Sequence, residues 1–313
     1  MSCQISDFNL TYLDEILALW NQQLVYDPIS KERFLSTIIL DENFDPAYFL
    51  VALEEDEVIG FAYGVKRKIP YLERGLEPHR GWINMVAVKS QRQRQKTGTR
   101  LVNEMEKRFK DNRVSEITLC AYSPNYFTPG IDERYEAGIP FFESLHYSFT
   151  SQAVSMKRDL WDYQMPAEII TQLESLKQEG ITIKRFHADY SLSLLIYLQK
   201  EFGGGWKRNA LKAMEQGIAE KTIFLVVDKY NEILGFVMRK IDGSDARFGP
   251  IGVTSSLRSK GLGAVLLHTM MNDMRQRQIY SMYFLWTSGA AQKFYERHDF
   301  DVCRSYNLYK KVI

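Results

Sequence analysis

The sequence predicts an α/β chain of two tandem, similarly built domains, each a sheet flanked by helices. Three observations predict it: matched blocks recur in the same order in both halves, strand-like and helix-like hydrophobic periods alternate along each half, and 313 residues suit two domains that can each bury a core. The stretch from Phe49-Leu-Val51 through Glu57-Val-Ile-Gly-Phe61 matches Phe224-Leu-Val226 through Glu232-Ile-Leu-Gly-Phe236. Val88 to Gly98 parallels Val253 to Gly263, and Phe141-Phe-Glu143 with Tyr147 parallels Phe294-Tyr-Glu296 with Phe300. Matched blocks in one order mean a duplicated domain.

Apolar spacing predicts helices near Tyr12–Leu24 and Lys31–Ile39, then strands at 47–53 and 57–65 joined by an acidic hairpin turn. The run Trp82–Val88 reads as a strand leading through a polar turn into a helix that carries Leu101, Val102, Met105 and Phe109. A strand at 115–120, a short helix ending near Leu145 and strands near Tyr147–Met156 close the first domain. The segment Ala121–Gly130 is long for a strand-to-helix connection and carries two prolines, a glycine and three aromatics. It either lines a groove or packs on its own domain.

Pro166 suits the first turn of a helix whose Ile169, Ile170, Leu173 and Leu176 share a side, and Gly180 suits its end. The predicted division is residues 1–159, a helical connector at 160–179 that packs rather than flexes, and 180–313. A strand from Ile181 and helices at 190–200 and 206–217 open the second domain, after which the strand–helix order of the first repeats.

Hydrophobic content of 45% and charged content of 25% are those of a globular chain, and a net charge of +1 argues against nucleic acid or an anionic membrane as the main partner. The three cysteines (Cys3, Cys120, Cys303) have no paired spacing and the five histidines form no ligand-spaced cluster, so neither a disulfide framework nor a metal site is expected. The start Met1-Ser-Cys-Gln-Ile-Ser-Asp lacks a basic, then apolar, leader, and no run is long enough to span a membrane, so a cytoplasmic location is expected.

The chemistry concentrates at Arg258-Ser-Lys-Gly-Leu-Gly263, between the apolar run Phe248–Val253 and a helix carrying Leu266, Leu267, Met270, Met271 and Met274. Glycines at a helix start let the backbone approach a ligand, and the free N–H groups there attract phosphate. No Gly-Lys-Ser/Thr follows, and no third glycine or distant carboxylate completes a dinucleotide fingerprint. A tight turn without a ligand is the alternative.

These residues resemble the GNAT superfamily of acyl-CoA-dependent N-acyltransferases, whose signature Arg/Gln-x-x-Gly-x-Gly/Ala is filled by Arg258, Gly261 and Gly263. A second family block, Ala-x-x-Phe-Tyr-x-x-x-x-Phe, is supplied by Ala291 to Phe300, with Asp299 where the family usually has glycine. The resemblance implies two tandem domains, each a mixed, mostly antiparallel twisted sheet flanked by helices, in a layout similar to the mycothiol synthase type. It implies acetyl-CoA, or another short acyl-CoA, as co-substrate and no metal. Ile251, Gly252 and Val253 would run beside the pantetheine arm, and Arg258, Ser259, Lys260, Gly261, Leu262, Gly263 and Ala264 would wrap the pyrophosphate.

The copies are unequal. Gln93, Lys96 and Gly98 stand where the second copy has Arg258, Gly261 and Gly263, and Phe142 stands where it has Tyr295. In the family an amine attacks the thioester directly, a strand N–H stabilises the oxyanion, and a tyrosine often protonates the departing thiolate. Tyr295 matches that position, or else is plain core. The first copy is therefore expected to be degenerate and the second catalytic, with a small-molecule primary amine as acceptor. Glu201, Asp242 and Asp245 are candidate bases by location alone, and Phe202, Trp206 and Trp286 candidate pocket aromatics. A non-catalytic acyl-CoA sensor and a protein or peptide acetyltransferase are the alternatives; the oligomeric state stays open.

Overall fold

The structure, a computed structural model, describes residues 3–313, Ser259 by its backbone alone. Contacts divide the chain into one unit of Met1–Ala153 with Arg304–Ile313 and a second of Val154–Cys303. The sequence places its division at 160–179; the units part at 153/154 and again at 303/304.

The first unit runs β1 (Gln4–Asp7), α1 (Leu13–Gln23), α2 (Lys31–Phe34), β2 (Phe49–Glu54), β3 (Glu57–Val65), β4 (Arg80–Val88), α3 (Thr97–Asp111), β5 (Glu116–Leu119), β6 (Ile131–Asp132), α4 (Gly138–Ser144) and the first half of β7 (Ser148–Asp159). Glu55 and Asp56 both take positive φ (50° and 64°), the twist a two-residue hairpin needs, and so set β2 against β3 with Glu54 opposite Glu57. Strands β1 to β4 pair antiparallel in order, and β4 pairs parallel with β5. Leu101, Val102, Met105 and Phe109 of α3 are fully buried on one side of this sheet. Gly64 and Gly81 permit the close fit: a Cβ would lie 2.9 Å from Met105 Sδ at the first and 3.0 Å from the Phe109 ring at the second. On the other side α1 buries Ile16, Leu19 and Trp20, with Trp20 stacked on Phe61 at 5.5 Å. Each such large side chain contributes about 1.5–3 kcal/mol on leaving water.

The second unit continues with the rest of β7, then α5 (Ala167–Gln178), β8 (Thr182–Arg185), α6 (Ser191–Phe202), α7 (Gly204–Glu215), α8 (Ala219–Thr222), β9 (Ile223–Val227), β10 (Ile233–Arg239), β11 (Phe248–Val253), α9 (Leu262–Gln276), β12 (Ser281–Thr287) and α10 (Gly289–Glu296). Strands β8 to β11 form an antiparallel sheet in the order β11-β10-β9-β8. Helix α9 buries Leu262, Val265, Leu266, Leu267, Met270, Met271 and Met274, the counterpart of the α3 stripe.

The last strand, β13 (Asp301–Val312), is a partner that the sequence expectation did not name. A strand does lie near 147–156, in β7, but β13 stands between it and β5, with Lys310, Lys311 and Val312 opposite Thr118, Ile117 and Glu116. Residues 154–159 of β7 pair with β12 instead. Two-residue alternation identifies a strand and its buried face, not its partner.

Candidate functional site

Strands β4 and β5 are parallel neighbours only from Arg80–Glu116 to Ile83–Leu119, and the last tie is the Cys120 N–H to the Ile83 carbonyl at 2.8 Å. Cys120 and Ala121 then take positive φ (56° and 57°), a strained left-handed pair that ends β5. Strand β4 continues to Val88 on β3 alone. A cavity of about 650 Å³ is lined by Asn84–Val88 of β4, by Leu119 and Cys120, and by the start of α4 as far as Phe142. That volume falls within the usual range for a small-molecule site.

The register of β3 against β4 shifts between Tyr63–Met85 and Gly64–Ile83, which leaves Asn84 as an extra residue on β4. Such a bulge interrupts the ladder and releases backbone groups from strand pairing. Beyond β4, Gln93, Arg94, Lys96 and Gly98 also line the cavity. Lys96 caps α3 in the left-handed conformation (φ 66°, ψ 5°), nearly the backbone of Gly261 at the start of α9 (φ 72°, ψ 2°). Lysine at the first glycine of the motif therefore leaves the loop intact, at a cost of about 1 kcal/mol for the left-handed Cβ. The first N–H groups of the 15-residue helix α3 and the exposed Arg94 and Lys96 give this end a positive character. Gln93 Nε2 holds the turn by donating to the Val88 carbonyl at 3.1 Å.

Among the titratable groups of this cleft, burial pushes the Cys120 thiol up to about 12, and its Sγ–H points to the Asn84 carbonyl at 3.6 Å. It stays protonated at neutral pH and is no nucleophile. Tyr135 donates to Asp27 Oδ2 at 2.9 Å; burial and then that carboxylate push its phenol well above the usual range. Arg304 donates to both oxygens of Asp27 (2.8 and 3.0 Å) and to Asp132 Oδ2 (2.6 Å), and Arg134 also donates to Asp132 Oδ2 (2.7 Å), so two guanidinium groups balance the two carboxylates beside the cleft. The long segment 121–130 packs on its own unit: Tyr122 donates to Asp41 at 3.0 Å, Phe127 meets Trp20 at 5.5 Å, and Thr128 and Gly130 line the cavity.

In the second unit, Ile251, Gly252 and Val253 lie on β11, Arg258 and Lys260 are exposed in the turn, and Gly261, Leu262, Gly263 and Ala264 open α9. The Ser259 side chain falls outside the described residues. Ile251, Val253, Leu262 and Ala264 belong to one hydrophobic cluster, so the end of β11 and the start of α9 share a core. Other side chains also occupy this region. A Cβ on Gly252 would lie 2.4 Å from the Phe202 ring, which stacks on Trp206 at 4.6 Å. Gln172 Nε2 donates to the Lys260 carbonyl at 2.9 Å and would lie 2.0 Å from a Cβ on Gly261. The bulge of β11, between Phe248 and Ile251, contains Pro250, which has no N–H to offer an oxyanion.

Tyr295 joins an aromatic cluster, 4.3 Å from Phe284, 5.5 Å from Phe300 and 6.1 Å from Phe248 between ring centres. Burial pushes its phenol up, which works against proton donation to a thiolate whose acid titrates near about 8.5. Asp245 is paired with Arg239 (2.9 Å) and Lys240 (3.1 Å), which hold its carboxyl low, and Asp242 faces Arg247 at 3.5 Å. Glu201 accepts from the Ser255 N–H at 3.4 Å, and Trp286 is 41% exposed. Among the described residues no group of three or more His, Cys, Asp or Glu is placed to hold a metal, and no helix is long and apolar enough to cross a membrane.

Residues 13–128 match the acetyltransferase (GNAT) family and residues 220–302 match the acetyltransferase (GNAT) domain. The fold is similar to the GCN5-related glucosamine N-acetyltransferase region of a fungal multi-domain GH3 beta-N-acetylglucosaminidase, at TM-score 0.82 and 18% identity over 99% of this chain. The chain spans 38% of that protein's length. It is also similar to a GCN5-related N-acetyltransferase from Sphaerobacter thermophilus (TM-score 0.74, 15% identity, 99% of this chain and 95% of that one). A tandem GNAT protein from the clavulanic acid biosynthesis pathway gives TM-score 0.66 at 11% identity, over 99% of this chain and 98% of that one. No curated protein sequence matches the chain.

Proposed function

The chain belongs to the GNAT family of acetyltransferases, with two such domains in tandem, and from that premise we propose that it moves an acetyl group from acetyl-CoA to a primary amine of a small molecule, with acetyl-CoA held in the first unit. The observation that carries this reading is the cleft of about 650 Å³ where β4 and β5 part, with the Gln93–Gly98 loop at one end. It reverses the assignment drawn from the motifs, in which the second copy is catalytic.

The residues fit the co-substrate. The α3 N-terminus with Arg94 and Lys96 suits a pyrophosphate, the apolar Met85–Val88 strand suits a pantetheine arm, and the bulge at Asn84 frees backbone groups where a thioester carbonyl would lie. The cleft then acts by proximity and by oxyanion stabilisation, on a neutral amine that attacks directly. Protonation of the leaving thiolate by Tyr135 or Cys120 runs uphill, because both are pushed above the thiol's range of about 8.5. The ammonium that forms on the attacking nitrogen is the better source: passed through water in the open cleft, its proton reaches the departing thiolate and the product amide is left neutral. The glucosamine N-acetyltransferase region among the similar folds makes amino sugars the first acceptors to screen.

A second reading keeps acetyl-CoA on Ile251–Val253 and Arg258–Ala264 with Tyr295 as acid. It is favoured by Gly261, which takes the left-handed loop position without strain; Phe202, Gln172 and Pro250 stand against it. Calorimetric titration of acetyl-CoA into the wild type, Arg94→Glu/Lys96→Glu and Arg258→Glu/Lys260→Glu separates the two, since all four side chains are exposed and their replacement leaves the cores untouched. One site, weakened at least tenfold only by the first pair, is expected, with acetyl transfer unaffected by Tyr295→Phe. Weakening by the second pair alone, with turnover lost in Tyr295→Phe, returns catalysis to the second unit. Binding without turnover of any amine or peptide would leave a sensor.

A further inference from the structure

We propose that Tyr135 is a positioning residue for the acceptor: its hydroxyl ties together the two segments that wall the acceptor end of the first-unit cleft. This rests on the first-unit reading above. Between β5 and α4 the first unit carries residues 120–137, β6 among them, whereas between β12 and α10 the second unit carries Ser288 alone. That added segment sets the first cleft apart, and long ordered loops are where binding sites are commonly built.

The cofactor leaves this segment to the acceptor. With acetyl-CoA on β4 and on the Gln93–Gly98 loop, α4 stands beside the loop, since a Cβ on Gly98 would lie 3.2 Å from the Phe141 ring. The lining left over is Leu24 and Asp27 from one segment, and Thr128, Asp132, Tyr135 and Glu136 from the other.

Each segment is anchored separately. The Trp20 indole N–H donates to the Asp27 carbonyl at 2.8 Å, and Asn21 exchanges two hydrogen bonds with the Ile29 backbone (2.7 and 3.0 Å), which fixes residues 24–30 to α1. The other segment is held by β6, whose Ile131 and Asp132 pair with Asn307 and Tyr306 of β13. Among the described residues no backbone–backbone hydrogen bond joins the two segments. Their spacing depends on side chains. The Tyr135 hydroxyl accepts from the Tyr26 N–H at 3.1 Å and donates to Asp27 Oδ2 at 2.9 Å, with the two tyrosine rings 5.2 Å apart. Arg304 holds Asp27 from β13, and the Arg134 guanidinium lies 4.0 Å over the Tyr26 ring. Of these residues, Tyr135 and Asp27 line the cleft, so theirs is the tie at the site itself. With its proton committed to Asp27, the phenol acts by holding the wall and not as an acid. A wall held at fixed spacing spares the acceptor part of the ordering cost of binding and keeps its amine aligned on the thioester.

The test compares the wild type, Tyr135→Phe and Phe127→Leu, with glucosamine, ethanolamine and butylamine as acceptors. Phenylalanine at 135 keeps the ring and removes the tie. Phe127→Leu loosens the same segment where it packs on Trp20 and leaves the tie in place. Acetyl-CoA titration and thermal melting are run on all three proteins. The expected result is a loss of at least fivefold in kcat/KM for the best of the three amines in Tyr135→Phe, carried mainly in the amine KM. Its Kd for acetyl-CoA should change less than twofold, and Phe127→Leu should lose less than twofold in kcat/KM. An unchanged kcat/KM in Tyr135→Phe, an equal loss in Phe127→Leu, or a matching loss of acetyl-CoA affinity overturns the proposal while the cofactor reading stands on its calorimetry. Transfer by the wild type to none of the three amines also overturns it, because the wall then has no acceptor to place. Failure of the first unit to bind acetyl-CoA overturns the reading on which the proposal rests, and the proposal with it.

Discussion

Lowering the pH from 7.5 to 5 should destabilise the second unit through one buried imidazole pair. His268, 3% exposed on α9, shares a 3.0 Å hydrogen bond between its Nε2 and His298 Nδ1, while its Nδ1 lies 3.0 Å from the Tyr163 hydroxyl. One ring must donate and the other accept, so the arrangement suits two neutral imidazoles. Burial, then the neighbouring His298 and Arg158, push His268 down from 6.5 to about 4, and only exposed Asp299 acts the other way. His298 is also lowered, first by burial and then by Arg158 and Arg297. A base whose folded pKa is depressed contributes stability above its unfolded pKa and loses it as pH falls toward the folded value, because the unfolded chain then binds more protons. For His268 the loss is roughly 3 kcal/mol in all at 1.36 kcal/mol per unit, and about 2 kcal/mol of it falls between pH 6.5 and 5. With a urea m-value of about 2 kcal/mol/M, the midpoint for this unit falls by roughly 1 M. Urea unfolding followed by tryptophan fluorescence, at both pH values, on the wild type and His268→Gln measures this. The glutamine keeps a hydrogen-bonding head and cannot titrate, so the difference between the two proteins removes the contribution of carboxylates elsewhere. Equal losses in wild type and variant would refute the reasoning.

Lys96→Gly should raise stability and weaken binding together: it relieves the left-handed Cβ at φ 66°, worth about 1 kcal/mol less some gain in unfolded-chain entropy. The melting temperature should rise by up to roughly 3 °C, while acetyl-CoA affinity falls several-fold at low salt and less at high salt; a lower melting temperature counts against the loop geometry. Asp27→Asn should cost roughly 3 kcal/mol, because Arg304, held by both Asp27 oxygens, keeps Asp132 alone. Chemical denaturation of the single and double variants with Arg304→Gln should give a coupling well above 1 kcal/mol, and additive losses would count against a coupled network.

Much of the fold was legible because it is written in local periods. The α3 and α9 stripes, the Glu55-Asp56 hairpin and the β4 and β11 runs follow from which residues shun water and which tolerate positive φ. The Arg258–Gly263 turn was legible for the same reason: glycine at a left-handed helix start is a local demand. Asn84 was visible as a polar break in the apolar run Trp82–Val88, but nothing in the spacing said that its amide would be left unpaired.

By itself the sequence determined that there are two similar units and where each carries a strand, a turn and a helix in succession. Tertiary structure decided the rest. Which strand closes the first unit depended on pairing Lys310–Val312 with β5, across almost two hundred residues of chain. What stands beside Gly252 depended on Phe202, fifty residues away, and what stands beside Gly261 on Gln172, farther still along the chain. A motif records the residues that can hold a ligand, whereas whether the space beside them stays empty depends on side chains that arrive from elsewhere in the fold.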